Sequence, residues 1–251
     1  MLLEVAGVSK WFGGLQAVKD ASFGVTDGQV TGLVGPNGAG KTTLFNMITG
    51  TIPTDAGTIT YNGADITSAS PQGRVAAGIG RTFQDVRLLP RLSVIDNVCI
   101  GVQDQVGERL RGVFLRPRAT ARREQETVDF AHECLDFVGI GDAVRGQSAG
   151  SLSYGEQKLV SIARLLATRS RLLLLDEPTS GLDESSLDQF RAVLAKLIDD
   201  GRTVLLVEHN MLLVRELCDR AVFLGTGEVL AVDTPEKLME SEVLRDVYFG
   251  A

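Results

Sequence analysis

The stretch Gly35-Pro36-Asn37-Gly38-Ala39-Gly40-Lys41-Thr42 constrains this chain more than any other. It satisfies the phosphate-loop pattern G-x-x-x-x-G-K-[ST] at every specified position. Its flanks suit it. Val30-Thr31-Gly32-Leu33-Val34 is short, apolar and β-branched, as a strand buried in a parallel sheet should be. Lys41 to Thr49 reads as a helix, with Gly50 placed to end it. Glycines let the backbone turn its N–H groups inward, and a helix N-terminus adds positive potential, so the segment predicts a polyphosphate site. Lys41 is expected to reach the β- and γ-phosphates of a nucleotide, and the Thr42 hydroxyl to bind Mg²⁺.

With 251 residues there is chain enough for a sizeable core, in one large domain or two intimate subdomains. A net charge of −7 argues against general nucleic-acid binding, which relies on dense Lys and Arg. Cys99, Cys134 and Cys218 are scattered without metal-ligand spacing and read as reduced thiols filling the core. Met1-Leu2-Leu3-Glu4 lacks the basic start and apolar run of a signal peptide. No apolar stretch approaches the roughly 18 residues needed to span a bilayer, so a membrane role is expected to come through a partner.

Along the chain, residues 2–30 read as antiparallel strands with a turn at Thr26-Asp27-Gly28, and residues 57–63 as a further hairpin. Pro71 suits the first turn of a short helix from Ser70. Ile79 to Gln84 reads as a strand running into a loop. Ser93 can cap a helix through Ile95, Val98 and Ile100. From about Gln103 to Arg123 the apolar periodicity is weak, and Arg109, Arg111, Arg116, Arg118, Arg122 and Arg123 accumulate. That segment is either a solvated loop or a patch facing an acidic partner or lipid head groups. Val128, Ala131, Leu135 and Val138 mark an amphipathic helix ended by Gly139, and His132 on it reads as structural. After Ser153, strands at Leu172–Leu175 and Val204–Val207 alternate with helices, which implies a parallel α/β sheet with its site at the strand C-terminal ends.

Those ends carry chemistry. Leu172-Leu173-Leu174-Leu175 delivers Asp176 and Glu177, the first suited to Mg²⁺ and the second to orienting or deprotonating a water. His209 follows the next strand directly and is placed to hydrogen-bond a γ-phosphate or that water. Ser153 caps a helix that opens Ser153-Tyr154-Gly155-Glu156, a second potential phosphate site.

In order along nearly the whole chain, Gly35–Thr42, Gln84, Leu152–Gln157, Asp176-Glu177, Ser180-Gly181-Leu182-Asp183 and His209 resemble six motifs of ABC-transporter ATPase subunits. These are the Walker A, Q-loop, signature, Walker B, D-loop and switch-histidine motifs. Within that superfamily the chain is most similar to the ATPases of branched-chain (hydrophobic) amino-acid uptake systems. Trp11-Phe12-Gly13-Gly14-Leu15, Arg81-Thr82-Phe83-Gln84, the arginine-rich segment and Val247-Tyr248-Phe249-Gly250 carry that likeness. Ser-Tyr-Gly-Glu departs from the commoner Ser-Gly-Gly-Gln, and Asp233 stands where a glycine is expected before Thr234-Pro235.

The resemblance implies an α/β P-loop NTPase core with a mostly parallel sheet, over residues 1–86 and 160–251. That core carries an N-terminal antiparallel β subdomain. A helical subdomain, 87–159, is inserted into it and ends in the signature motif. It implies ATP and Mg²⁺ as ligands, with Asn37, Gly38, Ala39, Gly40, Lys41, Thr42 and Thr43 around the phosphates. Phe12 would stack on adenine, against the alternative of an ordinary core aromatic, and Val18 would lie beside the base or ribose. Thr42, Gln84 and Asp176 would hold the metal, and Glu177, His209, Lys41 and Gln84 would serve hydrolysis. Ser153, Gly155 and Asp183 would act across a head-to-tail pair with a second ATPase subunit, identical or paralogous. Transmembrane permease chains, a substrate-binding protein and a place on the cytoplasmic membrane face complete the expectation. The alternatives are a lipid or lipopolysaccharide exporter ATPase, or a non-transport ABC ATPase acting on ribosomes or DNA. The latter expects tandem cassettes, a coiled-coil insertion, metal-binding cysteines or a basic surface. A GTP switch lacks its Asn-Lys-x-Asp tetrad here.

Overall fold

The computed structural model describes residues 1–82, 86–103 and 117–241, with 117–120 described by backbone alone. Gln84, Arg109, Arg111, Arg116 and the tail motif Val247–Gly250 lie outside the described residues. Two compact units emerge. One takes the described residues of 1–84, 171–180 and 197–251; the other takes those of 85–170 with 181–196.

The first unit holds two sheets. Strands β1 (Leu3–Phe12), β2 (Leu15–Val25), β4 (Ala56–Tyr61) and β5 (Ala64–Asp65) form an antiparallel sheet in the order β2-β1-β4-β5. Phe12 pairs with Leu15 across the Gly13-Gly14 turn. The second sheet has β3 (Val30–Val34), β6 (Ile79–Arg81), β7 (Leu172–Asp176), β8 (Thr203–Val207), β9 (Arg220–Gly225) and β10 (Glu228–Asp233). Its order is β10-β9-β3-β8-β7-β6, and every pair except β10–β9 is parallel. Every residue of β3, β7 and β8 is buried, which explains why these strands are continuous apolar runs rather than alternating ones.

Helix α1 (Lys41–Ile48) buries Leu44, Phe45, Met47 and Ile48 in one core. That core also takes Leu3, Val5 and Val8 from the antiparallel sheet and Leu33, Leu174 and Val207 from the parallel one. Truncating Phe45, which has no exposed surface, would cost about 3–5 kcal/mol in such a site. The phosphate loop therefore rests on the main core of its unit. Helix α2 (Pro71–Ala77) is capped by Ser70, whose side chain accepts from the Gly73 N–H at 3.1 Å. Short helices α8 (Met211–Leu217) and α9 (Pro235–Glu240) complete this unit.

The second unit is helical. It contains α3 (Val94–Cys99), α4 (Pro117–Phe137), α5 (Asp142–Arg145), α6 (Tyr154–Ala167) and most of α7 (Glu184–Asp199). Ser93 caps α3 through the Asp96 N–H at 3.1 Å. Arg122 and Arg123 correct the solvated-loop reading of their segment: they stand in a helix. Polar i,i+4 pairs, Arg122–Glu126 at 3.0 Å and Gln125–Asp129 at 2.8 Å, support its exposed turns where apolar periodicity is weak. His132 has a partner on the chain. Its Nδ1 lies 2.9 Å from Nη1 of the buried Arg145, and since arginine only donates, the imidazole accepts. Arg145 also donates to the Ile140 carbonyl at 2.7 and 3.0 Å, closing the turn after α4.

Candidate nucleotide site

Strands β3, β8 and β7 are consecutive in the sheet, and their C-terminal ends carry the phosphate loop, Glu208-His209 and Asp176-Glu177 respectively. Parallel alignment makes this happen. Leu33 is in register with Val207, and Val207 with Asp176, so all three chains leave the sheet at one edge.

The loop's glycines are required by space. A Cβ on Gly35 would sit 2.1 Å from the Leu224 carbonyl oxygen, and one on Gly40 would sit 2.5 Å from that of Ala17. Gly38 and Gly40 have φ of 81° and 98°, in the left-handed region that favours glycine. Ala39 is buried and accepts from the Gly227 N–H at 3.0 Å, which ties the loop to the β9–β10 turn. Asn37 and Gly38 are exposed. Helix α1 starts at this loop with no side-chain cap, so its first N–H groups face no capping oxygen of the helix's own. An uncapped helix N-terminus behind a glycine cradle fits a polyphosphate.

Lys41 is buried, and its Nζ donates to the Gly35 carbonyl at 2.7 Å and the Pro36 carbonyl at 2.9 Å. Burial lowers the ammonium's pKa from its ordinary value, while the nearby charges of Glu177 and Asp176 oppose that shift. The lysine of the phosphate loop and the two acids that end β7 thus act on one another electrostatically. Thr42 is exposed and Thr43 half-buried in the first turn of α1. Among the described residues no group of three or more His, Cys, Asp and Glu is gathered to cage a metal. Thr42 and Asp176 offer oxygen donors only, a hydroxyl and a carboxylate, and oxygen is the chemistry that suits Mg²⁺ shared with phosphates and water.

Asp176 is buried and bonded from an unexpected side. Arg81, at the end of β6, donates from Nη2 to Asp176 Oδ2 at 2.7 Å and stacks its guanidinium 5.2 Å from the Phe45 ring centre. Glu177 has φ of 45°, a strained conformation for a non-glycine residue and one that clusters at functional sites. His209 is exposed at the end of β8. Phe12 is 49% exposed at the tip of β1, with the Lys10 ammonium 5.7 Å from its ring centre. Val18 is fully buried and its Cγ2 lies 3.5 Å from the position of a Cβ on Gly40, so it packs beneath the loop.

Ser153, Gly155 and Asp183 belong to the second unit. Ser153 and Glu156 form a reciprocal capping box on α6, with Glu156 Oε2 accepting from the Ser153 N–H at 2.8 Å and its hydroxyl at 2.7 Å. Asp183 Oδ1 accepts from the Ser186 N–H at 2.8 Å, and that bond holds its carboxyl below the usual range.

The sequence profile of the ABC transporter domain matches residues 18–180. The chain belongs to the ABC transporter family. It is 38% identical over 251 residues to the high-affinity branched-chain amino acid transport ATP-binding protein BraF of Pseudomonas aeruginosa, covering 99% of this chain and 98% of that protein. It is 34% identical over 248 residues to the lipopolysaccharide export system ATP-binding protein LptB of Escherichia coli, covering 99% of this chain and 97% of that one. A crystal structure of a nucleotide-free ATP-binding cassette from an ABC transporter has a TM-score of 0.87 at 30% identity, over 100% of this chain and 99% of its own. A dimeric cassette in a post-hydrolysis state bound to ADP and Pi has a TM-score of 0.76 at 26% identity, over 93% of this chain and 98% of its own.

As an ABC transporter ATPase the chain binds and hydrolyses ATP in the service of a transporter, and a cassette of its fold pairs as a dimer. Among its described residues no helix is long and apolar enough to cross a membrane. Sequence reasoning passed over two features of this site, Arg81 as the partner of Asp176 and a contact between Thr179 and Glu208. Glu208 had a signal: like Asp176, it is an acid that directly follows a run of apolar residues in a buried strand.

Proposed function

We propose that this chain is an ATP-hydrolysing subunit of a multi-chain importer for branched-chain or other apolar amino acids. The observation that carries the chemistry is that Lys41, after β3, feels the charges of Asp176 and Glu177 at the end of β7, with β8 the parallel strand between them. The backbone of Asn37–Gly40, with Thr43 behind it, cradles the phosphates, and Lys41 gives up carbonyl partners for the β- and γ-oxygens. Phe12 offers its exposed face to adenine, over a loop that Val18 supports. Thr42, Asp176 and Gln84 hold Mg²⁺, which when bound neutralises charge on the phosphates. Glu177 orients and deprotonates the attacking water, and His209 donates toward the γ-phosphate.

Two subunits pair head to tail, so that Ser153 and Gly155 of one chain approach the phosphates on the other, with Asp183 at the same junction. Separate transmembrane permease chains hold the pair at the cytoplasmic face of the membrane, and a binding protein delivers substrate. Support for the substrate class comes from the full-length similarity to BraF at 38% identity. A second reading, lipopolysaccharide export, rests on the 34% identity to LptB.

Deleting the gene and measuring labelled leucine, isoleucine and valine uptake separates these readings. The expected result is loss of uptake, restored by the wild-type gene and not by a Lys41→Ala copy. Unchanged uptake together with stalled lipopolysaccharide export overturns the importer reading.

A further inference from the structure

The turn that carries Glu177 is fastened to the strand that carries His209. Ser180 N–H donates to the Glu177 carbonyl at 3.2 Å, closing residues 177–180 into a tight turn. The Glu177 N–H donates to the Val207 carbonyl at 3.1 Å. Two residues on, Thr179 donates its hydroxyl to Glu208 Oε1, and its N–H reaches the same oxygen at 3.3 Å. Glu208 is 1% exposed and Thr179 is 8% exposed, so the whole contact is shielded from water. Burying a carboxylate is expensive unless strong donors meet it, and here the donors come from the hydrolytic turn itself. Glu208 is also the residue directly before His209.

We infer that Glu208 is a positioning residue for hydrolysis, which acts through Thr179 to hold Glu177 and His209 in one rigid frame. The inference rests on the proposed roles of those two residues. The strained φ of 45° at Glu177 gives the device a purpose: such a conformation persists only where its surroundings over-determine it. The Val207 bond fixes one end of the turn and Glu208 fixes its middle. Released from Glu208, the turn keeps its chain path but loses the aim of the Glu177 carboxylate. Small errors in aim suffice to slow a reaction that depends on near-attack geometry. The contact leaves Lys41 and the phosphate loop untouched, so nucleotide affinity is expected to stay put while turnover falls.

The test uses the purified full chain, with ATP turnover, fluorescent-nucleotide affinity and thermal melting measured together. Glu208→Ala and Thr179→Val are each expected to lower kcat by about 10–100-fold, with nucleotide affinity within about twofold of wild type. Their double variant is expected to be no worse than either alone, because both break one contact. Glu208→Gln keeps the acceptor oxygen for both Thr179 donors and is expected to restore most of kcat. A fall in melting temperature with kcat unchanged would overturn the inference, as would independent, multiplying effects of the two substitutions. Where Glu208→Ala does not fold, Thr179→Val and Glu208→Gln decide it. Glu177→Gln and His209→Ala separate the two failures. If both hydrolyse as wild type, the reading of the site fails; if both are crippled while Thr179→Val is not, only the positioning inference fails.

Discussion

Two helices in this chain begin with a glycine close at hand, and they are built for different situations. Helix α1 starts without any side-chain cap, behind a loop whose Gly35 and Gly40 have no room for a Cβ. Helix α6 starts with a complete capping box, so Ser153 and Glu156 already satisfy some of its end groups. Its glycine answers to packing. A Cβ on Gly155 would meet Ser186 Oγ at 2.3 Å and Ser186 Cβ at 2.8 Å, so Gly155 lets α6 and α7 approach. The first helix end is an uncapped glycine loop with a buried lysine. The second satisfies its own end groups, and in the proposed function it meets a nucleotide only across a pair of chains.

The comparison breaks most visibly at Lys41. Lys41→Ala is expected to cut hydrolysis by about 10³-fold, the upper scale for removing a preorganised charge aimed at the transition state. Ser153→Arg is expected to be nearly inactive as well, because its cation blocks the neighbour's phosphates. Mixing the two folded proteins then regains roughly a quarter of wild-type activity under random pairing, since the symmetric pair offers two equivalent sites. A mixture no better than its components, with mixed pairs demonstrated, would mean that the second helix end does not complete the first.

Gly155→Ala tests the packing half of the comparison. It is expected to destabilise the chain by about 1–3 kcal/mol in chemical denaturation, the usual cost of overfilling a tight contact. Adding Ser186→Gly removes both clashing atoms and should recover most of that loss, while the Asp183–Ser186 backbone bond survives. Failure of the second change to help would show that Gly155 is needed for something other than room.

The smallest effect sharpens the capping half. Ser153→Ala is expected to cost about 1 kcal/mol of stability, the usual loss of a serine N-cap. Nucleotide affinity of the single chain, which depends on α1, should not change. A weaker affinity in that variant would join the two helix ends within one chain and remove the distinction between them.

Much of the site was legible because its signals are local. The phosphate loop is eight contiguous residues whose backbone demands can be met by few others, and its strand and helix announce themselves by composition. Asp176 and Glu177 were legible for a similar reason: four leucines specify a buried strand, and acids at its end have nowhere inert to go. The arginine-rich stretch misled at Arg122 and Arg123, where polar i,i+4 pairs support exposed turns of a helix ahead of its apolar stripe at Val128, Ala131 and Leu135.

By itself the sequence determined that a nucleotide-binding chain of this family is present, where its glycine loop runs, and that acids and a histidine stand at strand ends. Only the tertiary structure decided which strands are neighbours, placing β8 between β3 and β7 although β7 precedes it in the chain. It alone decided that Asp176 is held by Arg81, 95 residues away, and Glu208 by Thr179, 29 residues away. The reason is physical. Strand and loop propensities are set by a residue and its immediate neighbours, whereas a side-chain contact between distant segments is set by packing and sheet register, which no local pattern encodes.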